Sequence, residues 1–508
     1  MDPTFNLVDE PWIPCVSTNN AVRNLSLRQT LKEAHSLRGI AGASPLITGA
    51  LYRLLLAVLY RIVESPQDPG TWADLWEAGR FPPDCIDAYL DRWREQFDLF
   101  HPQQPFYQGD HPRSRVKPLS ALIPEAASGN NATLFDHNTD TLERAFNPAD
   151  AAQILLACQT FSVAGGSGLA PKEATAAPWA GAVIFLCEGD SLFETLLLNL
   201  LPCDSEYPIP GDPTQDRPVW EAPDPYLPER TAPLGYLDYL TWPGRVLRLL
   251  PEHLDGQLVV RQVALAGGLR LSSPIWDPFK HYSGNDKQGW RPLRFRQGRA
   301  LWRDSAAFLR IRDPENARPP ALFDWLAELI EDEVLPRSHS YRLMALGACS
   351  NQAKIDFYRE EHLPLPMDYL MRPELIEDLA LALQAAENVR NALMRAVSRL
   401  ATLVLSPTAD QKDGRQPDRK DRDNLMAHWA VDPYYWASLE VPFIELLVSL
   451  PQKGEDALQT WQDILFDTAR AALTRAEMLA GTDIRALRAA VRARGQLEGA
   501  LKKLTDEQ

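Results

Sequence analysis

The sequence predicts an α+β protein: an irregular mixed N-terminal body with antiparallel strands over residues 1–367, then a C-terminal four-helix bundle over residues 368–508. Three observations carry that expectation. The 42 prolines cluster in the first three quarters of the chain, well above the usual share of about 5%, and mark a loop-rich body. Residues 236–312 alternate short apolar runs with turns, as antiparallel strands do. From about residue 370, Leu375, Leu379, Ala382, Ala386, Val389, Leu393 and Val397 recur at three- and four-residue steps, the apolar stripe of one long helix.

The elements follow in order. Phe5 to Pro14 reads as a short strand ended by proline. Ser44-Pro45 offers an N-cap with proline at the first helical position, opening a helix over Leu46–Val63. Residues 100–150 are rich in Pro, Asn, Gly and Asp and read as a long loop. A helix over 148–162 leads into Gly165-Gly166-Ser167-Gly168, a strand over Gly181–Leu186 and a helix over Leu192–Leu201. Helices resume near Ala321–Leu335 and Tyr341–Leu346. After a polar linker, Ser406 to Asn424, three more helical stretches fall at about 434–450, 456–480 and 483–504.

Composition narrows the function. A net charge of −16 excludes attraction to nucleic acid by the whole surface and leaves only a local basic site. Six scattered cysteines form no C-x-x-C pair, so no zinc knuckle and no metal site is expected, and reduced thiols fit a cytoplasmic protein. The first residues lack a basic n-region and a continuous apolar core, so no signal peptide is expected. The Leu46–Val63 run is broken by Arg53 and Arg61 and fits a buried helix better than a membrane span.

Several local patterns, in order, resemble the CasA family, the large subunit of the type I-E CRISPR Cascade surveillance complex. Asn6-Leu7-Val8-Asp9-Glu10-Pro11-Trp12-Ile13-Pro14 is similar to its N-terminal signature, and His101-Pro102-Gln103-Gln104-Pro105-Phe106-Tyr107-Gln108 to a second segment. Gly165-Gly166-Ser167-Gly168 resembles its glycine loop, and Ser350-Asn351-Gln352-Ala353 its wedge. The resemblance implies a non-catalytic subunit without a cofactor, whose partners are other Cascade subunits, the CRISPR guide RNA, double-stranded target DNA and a helicase-nuclease. It implies recognition of the PAM, a short motif beside the target, from the minor groove, followed by strand separation.

The candidate residues make chemical sense in that role. Asn351 and Gln352 carry amides that donate and accept, suited to minor-groove edges, and Lys354 can meet a phosphate. The rival reading is that the amides cap a helix. Gly165, Gly166 and Gly168 let backbone approach a groove, or merely tighten a helix-to-strand connection. Asn131 and Phe135 match a loop that the family sets against the guide-RNA handle, with core anchoring as the alternative for Phe135. Arg291, Arg294, Arg296, Arg299 and Arg303, interleaved with Trp290, Phe295 and Trp302, form a basic stripe that reads either as a phosphate track or as an ion-paired surface. The family's lysine finger has no direct match. Arg261 is the substitute, with Lys280 and Lys287 behind it.

No H-E-x-x-H, G-x-S-x-G or Walker pattern is present. Two other readings remain: a phosphate- or nucleotide-handling enzyme built on Gly165–Gly168, and an assembly adaptor that touches no DNA.

Overall fold

The computed structural model describes residues 3–63, 68–123, 144–165, 168–170, 172–227, 229–272, 275–309, 316–351, 354–411 and 414–506. The chain divides into two compact units, residues 1–296 with 311–362 and residues 297–310 with 363–508.

The first unit opens on a three-stranded sheet in the order β2-β1-β3, built from β1 (Ile13–Ser17), β2 (Val22–Leu25) and β3 (Leu37–Ile40), with α1 (Leu27–Lys32) between the last two. The strand expected over Phe5 to Pro14 instead forms at Ile13–Ser17, with Pro14 inside it. Ahead of it Asn6 makes a turn, its side chain accepting from the Val8 amide and its carbonyl from Glu10, while Trp12 is sealed in the core with Nε1 on the Leu7 carbonyl. A short polar side chain that can bond its own backbone two residues on prefers this to a strand.

The core helix is α2 (Pro45–Ile62), capped by Ser44. It is the one described helix long and apolar enough to cross a membrane, and it lies packed inside the protein. Arg53, which breaks its apolar run, is itself buried and donates to the Leu240 carbonyl. Next come α3 (Pro69–Ala78), α4 (Pro83–Arg92), β4 (Arg115–Pro118), α5 (Pro148–Phe161), β5 (Ile184–Glu188), α6 (Leu192–Leu198) and α7 (Tyr236–Leu240).

As expected of residues 236–312, antiparallel strands then appear. β6 (Arg245–Leu254) and β7 (Gln257–Gly267) form a long hairpin, and β4 adds at the β7 edge. A second sheet has the order β10-β8-β9, from β8 (Tyr282–Asn285), β9 (Gly289–Pro292) and β10 (Ala317–Arg318). The helix α8 (Ser305–Phe308) falls between these strands in sequence but belongs to the second unit. After α9 (Ala321–Glu331) come β11 (Ser340–Asn351) and β12 (Lys354–Pro366), in a sheet of order β12-β11-β5. The helix expected over Tyr341–Leu346 is therefore a strand. β11 is the central strand, and a strand buried on both faces gives an unbroken apolar run that periodicity cannot separate from a buried helix.

The second unit holds α8, α10 (Asp368–Met371), α11 (Pro373–Leu405), α12 (Arg419–Trp429), α13 (Val431–Ser438), α14 (Glu440–Lys453), α15 (Glu455–Ala480) and α16 (Ile484–Asp506). Four of these are long and pack together as a C-terminal helix cluster, with α11 touching α14, α15 and α16. Part of the expected linker is helical: Asp418 caps α12 by accepting from the Lys420 amide. Residues 297–310, read from sequence as part of the body, belong here because Trp302 is buried, its ring 4.6 Å from Phe443.

Candidate nucleic-acid interface

The glycine loop connects the end of α5 to the segment ahead of β5. Gly165 and Gly168 both have positive φ, +69° and +74°, a region that glycine enters freely. The Gly165 amide donates to the Ala174 carbonyl at 3.1 Å, closing the loop on itself. Gly166 lies outside the described residues. The loop follows a helix, α5, and not a strand, so it lacks the strand–loop–helix form that cradles a nucleotide's phosphates.

A buried cation clamps the loop's two ends. Arg245, fully buried at the start of β6, donates to the Val163 carbonyl at 3.0 Å and the Thr175 carbonyl at 2.9 Å, with a third bond to Gly244. It pairs with no carboxylate among the described residues, and burial pushes its pKa down. Gln159 holds the Arg245 backbone in turn, accepting from its amide and donating to its carbonyl.

The edge strand β4 runs alongside. Arg115 and Lys117 oppose Leu265 and Val263 of β7, so both point to the same face of the sheet, the side the loop covers. Arg115 meets Glu173 at 3.4 Å. The Lys117 ammonium sits in the space that a side chain at position 168 would fill, so an added Cβ would displace it. Beyond them opens a cleft of about 600 Å³, whose lining includes Arg113, Arg115, Lys172 and Arg270 on the basic side and Glu173 and Glu229 on the acidic side.

The wedge residues occupy a different local structure from the helix end that the sequence suggested. Asn351 ends β11 and Lys354 opens β12, with Gln352 and, beside it, Ala353 outside the described residues. Two adjacent strands joined by two residues make a hairpin. Gly347 permits its base to close on the chain: a Cβ there would overlap the Ala182 carbonyl oxygen. At the neighbouring Gly181, φ +63°, the added atom would lie 3.3 Å from Ser350 Oγ and 4.0 Å from Arg294 Cζ. The segment after the glycine loop thus supports the hairpin base.

Several expected residues are differently employed. Arg261 projects from β7 into a two-bonded ion pair with Glu252 of β6, so its charge is answered within the sheet. Lys280 is no finger. It is buried, donates to the Pro178 carbonyl and lies 3.9 Å from Asp277. Lys287 is exposed in the turn between β8 and β9. Nor is the basic stripe one track. Arg291, Arg294 and Arg296 are exposed in the first unit, whereas Arg299 and Arg303 belong to the second. There Arg299 pairs with Asp304 and Glu387, and Arg303 pairs with Glu387 while covering the Trp436 ring. Phe295 and Trp302 are buried and unavailable for stacking on bases. Asn131 and Phe135 lie outside the described residues.

The sequence reading did not single out Arg245, the proximity of Lys117 to Gly168, or Arg270 on the cleft wall. A signal existed for Arg245: an arginine directly after Trp242-Pro243-Gly244, opening an apolar strand. For the other two nothing local in the sequence marks the contact. Among the described residues no cluster of His, Cys, Asp and Glu could hold a metal.

The sequence model of the CRISPR-associated protein Cse1 family matches residues 6–472. The chain belongs to that family. It is 35% identical, over 99% of its length and 98% of the relative's, to the CRISPR-associated protein CasA/Cse1 of Thermus thermophilus. The crystal structure of Thermus thermophilus CasA superposes with a TM-score of 0.80 at 30% identity, covering 99% of this chain and all of that one. A chain of a CRISPR RNA-guided surveillance complex shares the fold, with a TM-score of 0.74 at 24% identity over 97% of this chain and 99% of that one.

Proposed function

We propose that this protein is the non-catalytic large subunit of a type I-E Cascade surveillance complex, which recognises the PAM in duplex DNA from the minor groove and starts strand separation. Its partners are the other Cascade subunits, the guide RNA, target DNA and the helicase-nuclease that the complex recruits. The observation that carries the reading, beside family membership, is the hairpin formed by β11 and β12. It sets Asn351 at a strand end, next to Gln352, where amides suit a groove edge or a broken base pair. Parting one base step costs a few kcal/mol, about what nearby phosphate contacts can offset. Lys354 is one such contact, and the exposed Arg291, Arg294 and Arg296 extend it. In the glycine loop, Gly165, Gly166 and Gly168 admit the DNA backbone. Arg270, exposed on the cleft wall beside the loop, takes the groove-entering role in place of Arg261. Asn131 and Phe135 dock the subunit on the guide-RNA handle.

The test is a gel-shift titration of a PAM-containing duplex with guide-loaded core complex from the same organism. It compares no added chain, the wild-type chain and the Asn351→Ala/Gln352→Ala double variant. Restoration of PAM-dependent binding by wild type alone is the expected result. A variant that joins the complex and matches wild type would overturn the wedge assignment, and a wild-type chain that fails to join would overturn the reading as a whole.

A further inference from the structure

The cations around the glycine loop are more numerous than their local carboxylates require. Glu173 and Glu229 are the acids of the cleft lining, and Glu173 is already occupied: Arg115 meets it at 3.4 Å, and its other oxygen accepts from the Ala170 amide at 3.0 Å. Those contacts, with Arg113 and Lys172 nearby, hold its pKa below the ordinary value. Lys117 makes no hydrogen bond or ion pair among the described residues. Its ammonium stands beside Gly168, in the space that a side chain there would occupy. Arg113 and Lys172 line the adjoining cleft, and neither has a carboxylate within ion-pair distance among the described residues. In a chain of net charge −16, such a concentration of unanswered cations calls for an external anion. Alternate residues of a strand stand about 6.8 Å apart on one face, so Arg115 and Lys117 present a row of positive charge rather than a point.

We propose that Lys117 beside Gly168, with Arg113 and Lys172, forms a sequence-independent clamp for the phosphate backbone of duplex DNA. The clamp rests on the DNA-recognition reading above and adds to it a contact that positions the duplex without reading bases. An ammonium with three donors on a long stem suits a phosphate oxygen, and a contact of this type releases counterions. The roles then divide, with the hairpin and Arg270 discriminating sequence and the clamp setting affinity and register.

The experiment measures equilibrium binding of PAM-containing and PAM-less duplexes to guide-loaded complex across a series of KCl concentrations. Complexes carry the wild-type chain, Lys117→Ala, Gly168→Ala or the Arg113→Ala/Lys172→Ala pair. Losing one phosphate contact lowers the slope of log K against log salt by about 0.9. The expected outcome is that shallower slope for Lys117→Ala, with both duplexes weakened by the same factor and the PAM preference ratio unchanged. Gly168→Ala, which displaces the ammonium and also strains the recognition loop, is expected to lower the slope and the PAM preference together. Variants that assemble and melt like wild type but keep its slope would overturn the clamp. So would a loss of association with the guide-loaded core at unchanged DNA slope, which would assign these cations to RNA or to a subunit. Failure of the large-subunit reading looks different: wild type itself would then confer no PAM preference.

Discussion

Removing the Arg245 guanidinium is expected to free the glycine loop while leaving the fold intact. In Arg245→Met the apolar stem is kept and the planar head is lost. Charge-assisted hydrogen bonds contribute roughly 1.5–3 kcal/mol each, and a buried carbonyl stripped of its donor costs about 1–3 kcal/mol. Two of the three carbonyls involved, Val163 and Thr175, flank the loop. Opposing this, the wild-type cation is fully buried with no carboxylate partner among the described residues, and its removal relieves a desolvation penalty of several kcal/mol. The two carbonyls can escape to water only if the loop opens, so the loss concentrates there and amounts to about 2 kcal/mol of local stability. The readout is amide hydrogen exchange at Gly165, whose N–H bonds the Ala174 carbonyl across the loop. A 2 kcal/mol loss raises its opening population about thirtyfold. Amides in the middle of α5 serve as the internal control and change far less. Arg245→Lys is expected to fall between, since one ammonium cannot span carbonyls on both sides as a planar fork does. Unchanged exchange at Gly165 in a folded Arg245→Met protein would refute the clamp, and uniform acceleration across α5 would show that Arg245 supports the whole unit instead.

Three further outcomes follow from the same coordinates. Asp277 accepts from Trp179 Nε1 at 2.8 Å and Tyr239 hydroxyl at 2.7 Å and lies 3.9 Å from both Arg53 and Lys280. Asp277→Asn leaves two buried cations without a counter-charge and is expected to cost about 3–5 kcal/mol in chemical denaturation; a loss under 1 kcal/mol is the contrary result. His362 bonds Glu188 at 2.7 Å and Glu360 at 3.0 Å, and those bonds raise its pKa to about 9. Because the folded value is the higher one, its contribution is complete below about pH 6.5 and is lost as pH rises through 9. With the His362 side chain 42% exposed, solvent screening reduces that contribution to about 1 kcal/mol. Thermal melts of wild type and His362→Gln should therefore diverge at pH 6 and converge near pH 10, and parallel curves would contradict the pairing. Gly495 sits mid-helix in α16 facing open space, so Gly495→Ala is expected to stabilise by about 0.5–1 kcal/mol, whereas destabilisation of the isolated chain would show that the position is not open.

What the sequence could and could not reveal divides along physical lines. The long helices were legible because their apolar stripes and caps are local: Ser44-Pro45 announces α2, and Leu375 through Val397 trace α11. Strand β11 was misread because burial on both faces erases the alternation that marks a strand. Of the positions singled out in advance, Gly165 and Gly168 lie in one loop and Asn351 and Lys354 at strand ends, whereas Arg261, Arg299 and Arg303 are ion-paired. Some partners come from far along the chain: Glu387 answers Arg303, and Asp277 lies near Arg53. A row of arginines in sequence is thus no row in space unless the strand that carries it stays continuous, and here the chain passes from one unit to the other between Arg296 and Gln297. The cations left over are the informative ones. Arg299 and Arg303 are paired with carboxylates, and the buried Arg245 gives its donors to backbone carbonyls instead. Lys117, Arg113 and Lys172 line one edge and one cleft without ion pairs among the described residues, and that selective exemption is the physical argument for an anion held from outside.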